Sequence, residues 1–156
     1  MRSHLLFGFL AAFSYSVHGF QYAYRIKQDV GGTTLALQHG VGDPASVRFD
    51  KSTHISTSGW NFDTEGLADG KTIREAVITP LSDTSKTLVC HQGSKCRLDP
   101  EGLKQPFRVT QVFPQQPYFI IEDIVSGAYV TRASDLSLEL SHDTSDGRFF
   151  NLDDFL

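Results

Sequence analysis

Little in this sequence can hold it together through covalent or membrane chemistry. Two cysteines occur in 156 residues, so a hydrophobic core has to carry the fold. No Asn-x-Ser/Thr sequon occurs, and N-glycosylation is not expected. Beyond the first twenty residues no apolar run approaches the roughly 18 residues of a membrane-spanning helix. The C-terminus shows neither an ER-retention tetrapeptide nor a lipid-anchor signal. Long runs of helical periodicity are missing too. Basic residues are outnumbered, 14 Lys+Arg against 18 Asp+Glu. That balance argues against nucleic acid and anionic membranes as partners.

What is present begins with MRSHLLFGFLAAFSYSVHGF. Arg2 supplies a positive start, Leu5 to Phe13 form a short apolar run, and Val17-His18-Gly19 offers small residues to a signal peptidase. Residues 1–19 are therefore expected to be a removable signal peptide and the product to be secreted. The remaining 137 residues, 20–156, suffice for one domain and carry a charge of −5. In an oxidising compartment Cys90 and Cys96 are expected to form a disulfide. Closing so short a loop contributes about 2–2.5 kcal/mol in the chain-entropy model. A zinc site on Cys90, His91 and Cys96 would lack a second ligand pair, and no cofactor is expected.

Apolar residues alternate in short runs, as at Tyr22, Tyr24 and Ile26, or Leu136, Leu138 and Leu140, with Gly, Asp, Ser and Pro between them. This predicts many short strands, in a sandwich or a barrel. Three segments share one layout. YRIKQDVGGTTLAL, SVRF and GWNF form the first, AVITPLSDTSKTLVC, CRL and PFRV the second, and YFIIEDIVSGAYV, LSLEL and FFNL the third. Each ends in an aromatic–polar–apolar triplet, at Trp60-Asn61-Phe62, Phe107-Arg108-Val109 and Phe150-Asn151-Leu152. No unit alone can bury its strands and its aromatic, but three around an axis can. The pattern resembles the β-trefoil fold, which implies three pseudo-repeats forming a six-stranded barrel with a hairpin cap. Trp60, Phe107 and Phe150 would then form a central layer. A two-sheet sandwich is the rival architecture. The Gln-x-Trp signature of ricin-B-type trefoils survives only in part, with Ser58, Gln105 and Arg148 at its first position.

Catalysis is not expected. Ser141, His142 and Asp143 are contiguous, and adjacent side chains on a strand diverge. A site on His39, Glu65 and His91 has no spacing to favour it. A trefoil lectin needs a polar grip beside an aromatic face. The Asp that ricin-B-like lectins carry after the second strand is missing from Ala36–His39, Val89–Gln92 and Val130–Ala133. Asp50, Asp99 and Asp135 stand nearby, but turn chemistry accounts for them.

The first and third repeats also look like fungal mycocypin-type inhibitors of papain-like cysteine proteases. That resemblance implicates Asp29, Val30, Gly31 and Gly32 in the first turn, and Asp50, Lys51, Ser52, Thr53 and His54 beside it. A Gly-Gly wedge can bring its backbone close to a narrow cleft, although a tight hairpin turn asks for the same residues. The resemblance implies a monomeric, non-catalytic inhibitor with a papain-like cysteine protease as partner, exported by a fungus as an effector. The signal peptide and disulfide depart from that family. A glycan partner, bound as a lectin would, is the alternative. The polar loop Leu81–Lys86 offers Asp83 to an asparaginyl-type protease.

Overall fold

A computed structural model describes residues 20–51, 54–64, 72–112 and 118–155. The expected signal peptide, Ser52, Thr53, Glu65 and the Pro114–Pro117 connector fall outside them.

Among the described residues, twelve strands follow one another in three sets of four. The first set is β1 (Phe20–Val30), β2 (Thr33–His39), β3 (Val47–Asp50) and β4 (Trp60–Thr64). The second is β5 (Thr72–Pro80), β6 (Thr87–Val89), β7 (Arg97–Asp99) and β8 (Phe107–Gln111). The third is β9 (Tyr118–Asp123), β10 (Tyr129–Arg132), β11 (Leu138–Ser141) and β12 (Phe150–Asp154). A single helical turn, α1 (Ile55–Ser58), leads into β4. A 3₁₀ turn, Asp146–Arg148, leads into β12.

The outer strands of each set pair antiparallel in a ring: β1 with β4, β4 with β5, β5 with β8, β8 with β9, β9 with β12, and β12 back to β1. Closure removes the edges that an open sheet would present to other chains. The inner strands form the hairpins β2–β3, β6–β7 and β10–β11. Backbone bonds tie the hairpins together: Phe49 donates to Leu136 (2.7 Å), Cys96 to Leu138 (2.8 Å) and Leu98 to Ala45 (2.9 Å). A six-stranded barrel capped by three hairpins is a β-trefoil, as the repeats imply.

The registers show how closely the repeats superpose. Ile26 faces Leu152, Ile78 faces Phe62 and Ile121 faces Val109. Gln28, Pro80 and Asp123 therefore hold equivalent places two residues on. In the hairpins Leu37 faces Phe49, Leu88 faces Leu98 and Val130 faces Leu140. His39, Cys90 and Arg132 are equivalent by the same rule. Trp60, Phe107 and Phe150 are fully buried. Phe49 stacks on Phe150 at 6.1 Å, and Trp60 Nε1 donates to the carbonyl of Leu37 at 3.0 Å. Cys90 and Cys96 form the expected disulfide across the β6–β7 connection, with Cα atoms 4.2 Å apart.

Candidate functional site

The end of β1, the end of β10 and the segment entering β12 meet where the third repeat closes on the first. Buried Gln28 organises this junction. Its Nε2 donates to the carbonyls of Gly147 (2.7 Å) and Phe149 (2.9 Å), and its Oε1 accepts from Arg132 Nε (2.6 Å). Three bonds on one amide fix both the 3₁₀ turn and the direction of the Arg132 guanidinium. Gly147 allows a close approach here, because a Cβ would lie a tight 3.0 Å from the carbonyl oxygen of Arg132. Arg148 lies over the rings of Tyr129 (5.0 Å) and Phe149 (4.9 Å), which steadies Phe149.

A cavity of about 360 Å³ results, lined by Gln28, Asp29, Tyr118, Arg132, Asp146, Phe149 and Asn151. It is at the small end of the range for small-molecule sites. The Tyr118 and Phe149 rings stand 6.5 Å apart at 55°. Asn151 Oδ1 is buried without a hydrogen-bond partner. The exposed carboxylates of Asp29 and Asp146 add acceptors, and Asp29 also receives the hydroxyl of Thr34. Arg132 forms no ion pair with any described residue. The groove thus combines acceptors, a cationic donor and aromatic surface, the set that can grip a polyhydroxylated ring.

The pseudo-equivalent place between the second and third repeats is a cavity of about 300 Å³. Three of its polar side chains, Asp123, Gln105 and Ser126, are tied to one another. Asp123, at the Gln28 position, accepts from Gln105 Nε2 (3.1 Å) and from Ser126. Gln105 also accepts from the Cys90 amide and donates to the Cys90 carbonyl. Burial opposes ionisation of Asp123, yet these hydrogen bonds outweigh it and hold the carboxyl below its ordinary range.

Of the residues singled out in the sequence, Asp29 lines the groove. Val30 is half-buried, while Gly31 and Gly32 form the β1–β2 turn with φ of 57° and 79° and nothing within 4 Å of a Cβ on either. Both central residues in left-handed backbone is the geometry of a type I′ hairpin turn. Asp50, Lys51 and His54 are exposed. Asp50 faces Ala36, which in turn faces Lys27, and β3 runs toward the Val30–Thr33 end of the ribbon. The Gly-Gly turn and the Asp50–Lys51 exit therefore leave the same end.

Other motifs resolve into local chemistry. His39 is buried, edge-on to Trp60 at 5.0 Å, whereas His91 is exposed on the next hairpin. Hence these two histidines do not converge. No cluster of metal-binding side chains occurs among the described residues. In the Leu81–Lys86 loop, Asp83 accepts from Ser85 and pairs with Lys86 at 3.3 Å. Asp99 accepts from the amides of Glu101 and Leu103, and Asp135 from Ser137, as ordinary turns do.

The sequence did not point to Gln28, Tyr118, Arg132, Asp146, Phe149 and Asn151 as one site. Gln28 and Gly147 bond across 119 positions, and only strand register brings them together. The partial signal was Asn151, the polar member of the third triplet.

No protein-family model matches the chain, and none of the curated proteins matches it. Among solved structures it is similar to SeviL bound to asialo-GM1 saccharide, with a TM-score of 0.63 and 13% identity over 86% of this chain and 98% of that one. It is also similar to the designed 3-fold symmetric protein ThreeFoil, with a TM-score of 0.61 and 16% identity over 85% of this chain and 98% of that one. At such identities the likeness is one of fold.

Proposed function

We propose that this chain is a non-catalytic carbohydrate-binding protein whose site is the groove between its third and first repeats. The carrying observation is a groove that gathers the Tyr118 and Phe149 rings with the polar side chains of Asn151 and Arg132 and the carboxylates of Asp29 and Asp146. Sugar hydroxyls would donate to the carboxylates of Asp29 and Asp146 and accept from Arg132, while the ring's apolar face lies on an aromatic side chain. The polar grip missing after each second strand is supplied from other elements. SeviL, similar in fold, is bound to a saccharide, which supports the reading without assigning the sugar. The N-terminal segment and the disulfide support an extracellular place of action.

The test is glycan-array binding followed by calorimetric titration of the best glycan. Asn151→Leu should weaken binding about tenfold without lowering the unfolding midpoint. Asp29→Asn should weaken it comparably, by removing a charge-assisted hydrogen bond. An array without binders, or wild-type affinity in both variants, would rule the site out.

Inhibition of a papain-like cysteine protease is the second reading. The observation favouring it is that the exposed Gly31-Gly32 turn and the Asp50–Lys51 exit share one end of the ribbon. Titration against papain decides it, since undiminished protease activity at micromolar protein removes the wedge. The variant to use is Gly32→Asn, because asparagine tolerates left-handed backbone whereas bulkier residues strain it. An effector role on a host rests on this reading alone.

A further inference from the structure

The outer face of the hairpin cap carries a second depression, of about 450 Å³, that shares no residue with the groove. All three repeats contribute to it. The β2–β3 hairpin supplies Asp43 and Arg48, the β6–β7 hairpin supplies Lys95 and Arg97, and the β10–β11 hairpin supplies Asp135 and Ser137. Backbone bridges between Arg48 and Ser137, and between Lys95 and Glu139, fix the hairpins against one another here. The charges converge on a prebuilt surface.

Its acids and bases are in different states. Asp43 Oδ1 accepts from the Ala45 amide at 3.0 Å. Asp135 accepts from the amide and hydroxyl of Ser137 and pairs with Lys95. Asp135 is thus ion-paired within the protein, whereas Asp43 keeps its charge at the rim. Arg48 and Arg97 are exposed, and neither guanidinium forms an ion pair with any described residue. Three cationic side chains against two carboxylates leave the depression with a small positive excess, in a chain of net charge −4, a local reversal of sign. Each guanidinium presents parallel N–H donors matched to an oxyanion with several terminal oxygens.

We propose that this depression binds an ester oxyanion, a sulfate or phosphate group carried on a saccharide or polyol, held by Arg48 and Arg97 with Lys95 exchanging from Asp135 to the ligand. The site is independent of the groove and of the function proposed for it.

The experiment titrates the full chain with two probes separately, a heparin-derived sulfated tetrasaccharide and myo-inositol hexakisphosphate, at about 50 and about 150 mM salt. Saturable binding of either probe, weaker at the higher salt, is expected. Arg48→Ala and Arg97→Ala should each reduce affinity about tenfold, and the double variant should abolish binding with an unchanged unfolding midpoint, since both side chains are exposed. Asp135→Asn keeps an acceptor for Ser137 but releases Lys95, so affinity should rise several-fold. Preference for the tetrasaccharide assigns a sulfated glycan, and preference for the inositol phosphate assigns a phosphate ester. Binding of neither probe at low salt, or unchanged affinity in the double variant, overturns the proposal.

Discussion

Gly59 stands at φ −89°, a backbone any residue can adopt. Its reason is spatial, because a Cβ there would lie 2.6 Å from the ring of Phe155. That ring lies under Arg25 at 5.1 Å, and its amide donates to Ala23. Gly59→Ala should therefore cost about 1 kcal/mol or more by displacing the ring. The cost should vanish in a Phe155→Ala background, which a double-mutant cycle in urea would show. Next to Gly59 lies His39, edge-on to Trp60. Burial lowers its pKa below the ordinary 6.5, while a backbone bond to Gly59 and the charges of Lys86 and Asp83 add smaller effects. The unfolded chain takes up a proton near the ordinary value and the folded chain only at lower pH. Stability should therefore fall as pH drops below about 6.5 and level off once the folded-state pKa is passed. Trp60 is the single tryptophan, so its fluorescence reports unfolding at each pH. His39→Gln should remove the slope just below pH 6.5.

Hairpins differ in how they are held. The β2–β3 and β10–β11 hairpins each have four facing pairs, whereas β6–β7 has three, in strands of three residues. The Cys90–Cys96 bridge lies on this shortest hairpin, and both cysteines belong to the core. Cys90→Ala with Cys96→Ala should lower stability by about 2 kcal/mol or more in urea denaturation. Amide exchange should speed up in β6–β7 before it does in the ring of β1, β4 and β12. These elements were legible because each depends on local pattern. Alternating apolar residues mark strands, Gly-Gly marks a turn, and two cysteines flank five hairpin residues. The one-turn helix at Ile55–Ser58 was not legible, since four residues carry no period.

At the scale of the molecule, the fold was readable where symmetry repeats a signal, and the site was not. Trp60, Phe107 and Phe150 announce one buried layer because the same triplet recurs three times. The groove arises where the repeats stop being alike. Gln28, Pro80 and Asp123 occupy one equivalent place, and His39, Cys90 and Arg132 another. At the junction of the third repeat with the first an amide pairs with an arginine beside two exposed carboxylates. A single repeat cannot show that, because the partners lie at opposite ends of the chain and meet only when β12 closes on β1. This separation of core from site can be tested on the core itself. Phe107→Leu and Phe150→Leu remove similar volume from equivalent buried places, so each should cost about 1 kcal/mol. Phe150 should cost somewhat more, because it also stacks on Phe49. Their effects on the groove should differ. Phe150 is flanked by Phe149 and Asn151, which line it, whereas Phe107 is flanked by Pro106 and Arg108, which do not. Titrating both variants with the same glycan, at a temperature where both are fully folded, should show several-fold weaker binding for Phe150→Leu alone. Equal weakening would mean that the whole barrel positions the groove, and that the repeats act as one elastic unit.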